Sequence, residues 1–215
     1  MKTVYFVRHG ESEDNAAKRY NAFDTHLSQK GERQAIGITK RCSYLPVEII
    51  ISSDMERARQ TAHVIAEHVP HTITESALFR ERITAARLLG KSHDDPEAIK
   101  IVEESRKNFH VPGWRHEGGE NFEDLKARAL QGLAYLTGRT EDSILVVTHG
   151  FFMRVIVSAV LFGKELTSHE CLDVIDGLGE LENTGLTVIH SKEGKKLRGR
   201  SPWRLAVWND HAHLG

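Results

Sequence analysis

Histidine and arginine residues follow three separate apolar runs of the sequence. Arg8 and His9 directly follow TVYFV, and His149 directly follows SILVVT. Arg57 comes shortly after EIII. The transfer of a phosphoryl group needs a nucleophile, compensation for its negative oxygens and a proton for the leaving oxygen, and imidazole and guanidinium groups can contribute to these. If the three runs are strands of one sheet, these residues predict a phosphoryl-transfer site.

His9 is the predicted nucleophile. Its neutral imidazole can attack phosphorus in line and form a phosphohistidine, which water then hydrolyses. Arg8 and Arg57 are expected to chelate the non-bridging oxygens, and a protonated His149 to add a third cation. Because side chains neutralise the oxygens, neither a metal ion nor a cofactor is expected.

A mostly parallel sheet must bring these residues together. The β-branched runs at 3–7, 48–51 and 143–148 are each followed by a segment with helical periodicity, and further strands are expected at 185–190 and 204–208. This order predicts an α/β fold, a three-layer sandwich with helices on both faces of the sheet. Ligands of such sheets bind beyond the carboxyl ends of the strands. The alternative is that the polar strand ends belong to unrelated loops.

Two helices are predicted in more detail. The first follows the run at 48–51 and has one buried stripe, formed by Met55, Ala58, Ala62, Ile65 and Val69. The segment Ser53–Glu56 fits an S-x-x-E capping box, which would begin this helix near Ser53 and place Arg57 in its first turn. The second helix is expected to begin near Glu120 and to bury Phe122, Leu125, Ala129, Leu133 and Leu136.

Composition indicates a globular protein of one domain, residues 1–215. Of the residues, 40% are hydrophobic and 27% charged, and the net charge of -1 provides no field that would attract nucleic acid or a membrane. Cys42 and Cys171 are far apart, so neither a disulfide framework nor a thiolate metal site is expected. No leader and no run of ~20 apolar residues is recognised, so a cytoplasmic location is expected.

A histidine pair and a basic run could indicate a metal site and a substrate contact, but neither role is favoured by the sequence. His63 and His68 could be metal ligands, but a separation of five places them roughly 140° apart around a helix, whereas zinc-binding helices carry their histidines about one turn apart. The basic run KKLRGRSPWR at 195–204 is predicted to be a solvated hairpin without a role in the site.

The motifs resemble the histidine phosphatase superfamily, in the branch that includes cofactor-dependent phosphoglycerate mutases. RHGES at 8–12 with Asn15 looks like the block of the nucleophilic histidine, Ser53–Ala58 like that of the second arginine, and Val147–Gly150 like that of the second histidine. Similar segments extend along nearly the whole chain: Leu27–Ser28 with Gly31 and Gln34–Ala35, Phe79–Arg82, Gly119–Asn121 with Arg128, and Trp208–Leu214.

The resemblance also implies roles for individual residues. Glu81, in FRER, is the expected general acid for the leaving group, with Glu75 and Glu120 as rival carboxylates. Asn15 and Gly150 are expected to bind phosphate together with Arg8, Arg57 and His149.

The expected function is that of a phosphomonoesterase for a small phosphorylated metabolite. Segment 82–118 is short and unlike that of the mutases, and Pro96, Pro112 and the pattern EAIKIVEESRKNF predict a small helical cap that selects the leaving group. Phosphoglycerate mutase activity is the first alternative, and a catalytically silent phosphate-binding regulatory module is the second. The expected partner is the phosphorylated substrate, with a homodimer left open, and neither nucleic acid nor a membrane is expected.

Overall fold

A computed structural model describes residues 1–69, 71–191 and 201–215. Its strands form where β-branched and other apolar residues cluster, because such side chains suit a sheet covered on both faces. The strands are β1 (Lys2–Arg8), β2 (Ile49–Ser52), β3 (Ile73–Glu75), β4 (Ser143–Thr148), β5 (Leu186–Ser191) and β6 (Trp203–Asp210). All residues of β2 and β4 are buried.

The six strands form one sheet in the order β3-β2-β4-β1-β5-β6. β1, β2 and β3 extend the sheet in parallel with β4, whereas β5 is antiparallel both to β1 and to β6. The predicted mostly parallel sheet is therefore confirmed. β3 has no counterpart in the sequence-based prediction, because a three-residue edge strand with partly exposed side chains leaves no apolar run to detect.

Helices cover both faces of the sheet. They are α1 (Glu13–Ala16), α2 (Gln29–Cys42), α3 (Glu56–His68), α4 (Pro96–Lys107), α5 (Phe122–Thr137), α6 (Gly150–Phe162) and α7 (Ser168–Leu178). Alternate residues of β4 enter two separate apolar cores: Ile144 and Val146 pack into the core that includes residues of α5 to α7, and Leu145 and Val147 into the core with α2 and α3. This arrangement confirms the three-layer α/β sandwich.

The helix that carries Arg57 begins later than the capping box predicted. Its N-cap is Met55, which provides no side-chain cap, and Glu56 is its first residue. Ser53 still extends the sheet, because its N–H donates to the Val147 carbonyl at 2.9 Å. The capping-box prediction was wrong, although Arg57 does lie in the first turn and the predicted stripe is buried.

Helix α5 and segment 82–118 follow the prediction more closely. α5 begins at Phe122, two residues beyond the expected start, with Asn121 and Asp124 forming a reciprocal capping box, and the predicted apolar stripe is buried. Segment 82–118 contains α4, capped by Asp95 with proline at its start. The predicted hairpin at 195–204 falls mostly on 192–200, outside the described residues. No helix of the described ranges is both long and apolar enough to cross a bilayer.

Candidate active site

The carboxyl ends of β1, β2 and β4 form the floor of the candidate site. Since β4 lies between β2 and β1, the residues that follow these strands are neighbours. The ring centroids of His9 and His149 are 5.0 Å apart, and the Arg57 Nε lies 3.2 Å from the His9 Nε2. The Arg8 side chain packs against Gly150, where an added Cβ would lie 3.3 Å from the Arg8 Nε. The structure thus brings the four predicted side chains together.

Two hydrogen bonds fix the tautomer of His9. Its Nδ1 lies 2.7 Å from the Gly10 carbonyl oxygen, which can only accept, so Nδ1 carries the proton. The Arg57 Nε can only donate, so the His9 Nε2 presents its lone pair. Burial and the charges of Arg57 and Arg8 hold the pKa of His9 well below its ordinary value. His9 is therefore a neutral imidazole with Nε2 unprotonated, the form a nucleophile requires.

Arg8 and Arg57 are cations without a carboxylate partner in the described part of the chain. Arg57 is only 2% exposed, and its guanidinium donates to His9, to the Ala22 carbonyl at 2.9 Å and to the Met55 sulfur at 3.5 Å. Burial lowers its pKa to about 10. The Arg8 Nη1 donates to the Leu181 carbonyl, and its buried Nε has no partner among the described residues. Two such cations create a site for an anion.

His149 differs from the expectation of a protonated third cation. It is completely buried, and burial together with the charges of Arg57, Arg8 and Arg128 lowers its pKa well below the ordinary value. It is therefore neutral when no anion is bound. Its Nε2 lies 2.8 Å from the Ser53 Oγ, and its buried Nδ1 has no partner in the described ranges.

Glu81 is the carboxylate that the structure places in the cavity with His9. Its Oε1 accepts from the Arg82 and Phe152 N–H groups at 2.9 and 3.0 Å, and its Oε2 from the Phe151 N–H at 3.2 Å. It therefore also caps the N-terminus of α6, directly after His149. The rivals lie elsewhere: Glu120 is paired with Arg128 at 2.7 Å, and Glu75 with Arg59 at 3.2 Å.

Asn15 lines the same cavity and also caps α1. Its Oδ1 accepts from the Ser12 N–H at 3.3 Å, while its Nδ2 donates to no group in the described part of the chain. The amide N–H groups are therefore the ones free to meet a phosphate oxygen. Arg80 and Arg82 are both partly buried and both line the cavity. Arg80 is held there by Asp54 at 2.6 Å.

Three further residues position the site, and no role in the site was predicted for them from the sequence. Ser53 contacts His149, as described above. The Asn183 Nδ2 donates to the His9 carbonyl at 2.9 Å, and the Thr61 hydroxyl accepts from the Gly10 N–H at 3.1 Å. Asn183 and Thr61 lie far from His9 in sequence, so no local pattern could have identified them.

The cavity above this floor has a volume of about 460 Å³, within the range of ~300–1,000 Å³ typical of small-molecule sites. Arg8, His9 and Arg57 line its floor, and residues of segment 82–118 line its wall. His149 lies beneath the floor. In the described part of the chain, no three His, Cys, Asp or Glu residues cluster as metal ligands would.

An α/β sandwich that gathers two histidines and two arginines at one sheet edge is the architecture of a histidine phosphatase-type phosphatase. The chain belongs to the histidine phosphatase superfamily (branch 1), whose family model matches residues 4–210. The resemblance found in the motifs is confirmed.

Known proteins are similar to this chain over nearly its whole length. A metal-independent phosphoserine phosphatase of Arabidopsis thaliana is 28% identical, and the match covers 98% of this chain and 82% of that protein. A probable phosphoglycerate mutase GpmB of Erwinia tasmaniensis is 31% identical, over 100% of this chain and 95% of the relative. The structure of a mycobacterial glucosyl-3-phosphoglycerate phosphatase with VO3 has a TM-score of 0.79 and 25% identity, over 98% of this chain and 100% of that one.

Proposed function

We propose that the protein hydrolyses small phosphate monoesters through a phosphohistidine on His9. The observation that carries this proposal is the unprotonated Nε2 of His9 beside two buried or partly buried arginines that have no carboxylate partner among the described residues. A bound phosphate dianion would supply the missing charge and place phosphorus within reach of Nε2. The names of two relatives, a phosphoserine phosphatase and a glucosyl-3-phosphoglycerate phosphatase, support phosphatase chemistry.

In the first half-reaction, the Nε2 lone pair attacks phosphorus as the ester P–O bond breaks. Arg8 and Arg57 hold the equatorial oxygens, where charge is spread in the transition state, and the Asn15 amide donates to another oxygen. Glu81 delivers a proton to the leaving oxygen. The phosphate charge raises the pKa of His149, which lies beneath the floor, so His149 takes up a proton as the anion binds above it.

In the second half-reaction, water attacks the phosphohistidine, gives a proton to the Glu81 carboxylate and thereby restores the acid, while the P–N bond breaks. The electron pair of that bond returns to Nε2, and inorganic phosphate leaves. The same cations hold the phosphoryl group in both steps, so one site serves the complete cycle. Segment 82–118 acts as a cap that selects the leaving group. The cytoplasmic location and the homodimer stay predictions.

Rapid quenching of the reaction with phenyl phosphate radiolabelled at phosphorus tests for the phosphohistidine intermediate. In buffer containing EDTA, we expect acid-labile, alkali-stable label on the peptide that contains His9, and loss of both label and turnover in His9→Ala. His63→Ala, which removes an exposed histidine of α3, is the matched control and should retain both. Label on another peptide, or wild-type turnover by His9→Ala, would refute the mechanism.

Mutase activity is the second candidate, because relatives named probable phosphoglycerate mutase match the whole chain at 31–33% identity. A mutase must return the phosphoryl group to a second acceptor before water reaches it. Incubation with 3-phosphoglycerate separates the two activities: we expect inorganic phosphate to appear faster than 2-phosphoglycerate. The opposite order would make the protein a mutase.

A further inference from the structure

The cavity has two halves of different chemistry. Its floor presents the arginines and histidine described above, whereas the wall that would surround the leaving group is largely apolar. The apolar wall is defined as Phe23, Ile83, Leu88, Leu89, Val102 and Phe151. The segment from 82 to 118 supplies four of these six residues.

Exposed apolar side chains are concentrated in this wall. The described ranges contain ten large apolar residues that are classed as exposed, and four of them are wall residues: Phe23, Ile83, Leu89 and Val102, with exposures of 45%, 44%, 44% and 37%. Scattered exposed apolar residues need no explanation, but a group around one cavity marks a surface that meets a ligand. Since this cavity contains His9, the ligand is the substrate.

The apolar wall is held in place before any ligand binds. The cap has its own small core, in which Ala85, Leu88, Ala98 and Ile101 pack with Tyr20. Backbone hydrogen bonds join the segment around Tyr20 to the cap. The Tyr20 N–H donates to the Lys91 carbonyl at 2.9 Å, and the Gly90 N–H donates to the Tyr20 carbonyl at 2.7 Å. A preformed wall loses little conformational entropy on binding.

The arginines around the wall are engaged with the protein itself. Arg19 is paired with Asp14 at 3.0 Å, and Arg80 with Asp54. The Arg82 guanidinium lies over two aromatic rings, 5.7 Å from the centroid of Phe109 and 5.3 Å from that of Phe151. Its buried Nε has no partner among the described residues, so a leaving group with its own carboxylate is the rival that a test must exclude.

We propose that the preferred substrates are phosphate monoesters whose leaving group is an apolar or aromatic alcohol, bound against the apolar wall, and not small anionic compounds such as phosphoserine or phosphoglycerate. The proposal rests on the proposed phosphatase function. The phosphate anchors the ester on the floor, and burial of the leaving group against the wall provides the discrimination.

A series of n-alkyl phosphates from ethyl to hexyl tests the proposal, because the leaving groups differ in apolar area and hardly in basicity. We expect kcat/KM for phosphate release to rise about fourfold for each added methylene that becomes buried, and hexyl phosphate to exceed phosphoserine and 3-phosphoglycerate. A flat series, or preference for the two anionic substrates, would refute the apolar specificity and leave the phosphatase function intact. If none of these substrates released phosphate, both the apolar specificity and the phosphatase function would be refuted.

A pair of double variants tests whether the apolar wall causes the dependence of kcat/KM on chain length. Leu89→Ser with Val102→Ser removes two exposed wall residues, whereas Ile36→Ser with Ile99→Ser removes two exposed residues outside the cavity, one of them on the same helix as Val102. We expect the wall variant to lose at least tenfold in kcat/KM on hexyl phosphate and to lose less on ethyl phosphate, so that its dependence on chain length becomes shallower. The control should keep the wild-type dependence on chain length. Equal behaviour of the two variants would contradict the assignment.

Discussion

Burial among cations determines the protonation of both histidines at the site. His9 and His149 have pKa values well below the ordinary one, chiefly because burial penalises the charged imidazole and secondarily because of the neighbouring arginines. For His9 this suits the proposed role, since a nucleophile must be neutral. In the proposed mechanism, a positive charge on His149 develops only when phosphate binds, so that charge is linked to substrate binding.

The position of Glu81 allows two roles, which leaving-group basicity distinguishes. As a general acid, Glu81 would matter most for a poor leaving group, so Glu81→Gln should reduce kcat/KM on an alkyl phosphate by ~10²- to 10⁴-fold, and far less on p-nitrophenyl phosphate, whose phenolate leaves without a proton. The measurement is kcat/KM on both substrates, because this parameter covers the step in which the leaving group departs.

Equal losses on the two substrates would instead identify Glu81 as a residue that holds the start of α6, where it accepts from Phe151 and Phe152. Glu75→Gln is the control, since Glu75 is an exposed carboxylate paired with Arg59 outside the cavity. It should not change the ratio of the two rates.

Sequence alone predicted the strands that position the site, because each must be buried on both faces and therefore shows as an apolar run. β4 was predicted at its observed bounds, Ser143–Thr148. The prediction of a capping box at Ser53 was wrong because tertiary contacts hold this residue at the site. Its hydroxyl contacts His149 at 2.8 Å and its N–H belongs to the sheet, two tertiary contacts that a local motif cannot reveal.

The His9 loop depends on a close approach to α2 that only glycine permits. A Cβ on Gly31 would lie 1.9 Å from the Glu11 carbonyl oxygen, and a Cβ on Gly10 would lie 2.5 Å from that of Gly31. Both contacts involve backbone, so neither loop nor helix can yield by rotating a side chain. The sequence placed Gly31 in a family-like block, but only the structure shows which element it touches.

Gly31→Ala should therefore displace the loop that carries His9. We expect it to lower the free energy of unfolding by about 1–3 kcal/mol, the usual cost of overpacking, and to lower kcat/KM as well. Gly37→Ala, in the same helix, is the control: its Cβ would meet no atom closer than 3.9 Å, and alanine should stabilise the helix by up to about 1 kcal/mol. Chemical denaturation and steady-state kinetics measure both effects, and equal stability of the two variants would contradict the close-approach argument.

At the scale of the whole molecule, positive charge is concentrated at one place although the net charge is close to zero. The net charge is only -1, yet the sheet edge concentrates arginines around two histidines, and Arg8, Arg57 and His9 line one cavity. The fold achieves this by placing the ends of β1, β2 and β4 side by side, with residues as far apart in sequence as His9 and Asn183 in contact. The order of the strands was not predictable from their sequences, because every central strand has a similar apolar composition.

The buried histidines should make the stability of the free protein depend on pH. His9 and His149 stay neutral in the folded state and take up a proton near pH 6.5 in the unfolded state, so the unfolded chain binds more protons as pH falls. Their contribution is complete above about pH 7.5 and is lost through pH 6.5 toward their lower folded-state values, by up to about 1.4 kcal/mol per pH unit for each histidine. The depressed pKa values of Asp14 and Asp54 act at lower pH.

Urea unfolding between pH 5 and 8 measures this dependence. The free energy of unfolding of the wild-type protein should fall steadily below pH 7, and His149→Gln should show a clearly shallower slope. The pKa of His213 is also lowered, mainly by burial, so a part of the slope will remain in that variant. His63→Gln, at an exposed position of α3, should keep the wild-type slope. Saturating inorganic phosphate should stabilise the wild type most strongly at the lower pH, because the anion favours a protonated His149; an unchanged slope in His149→Gln would mean that His149 is charged without phosphate.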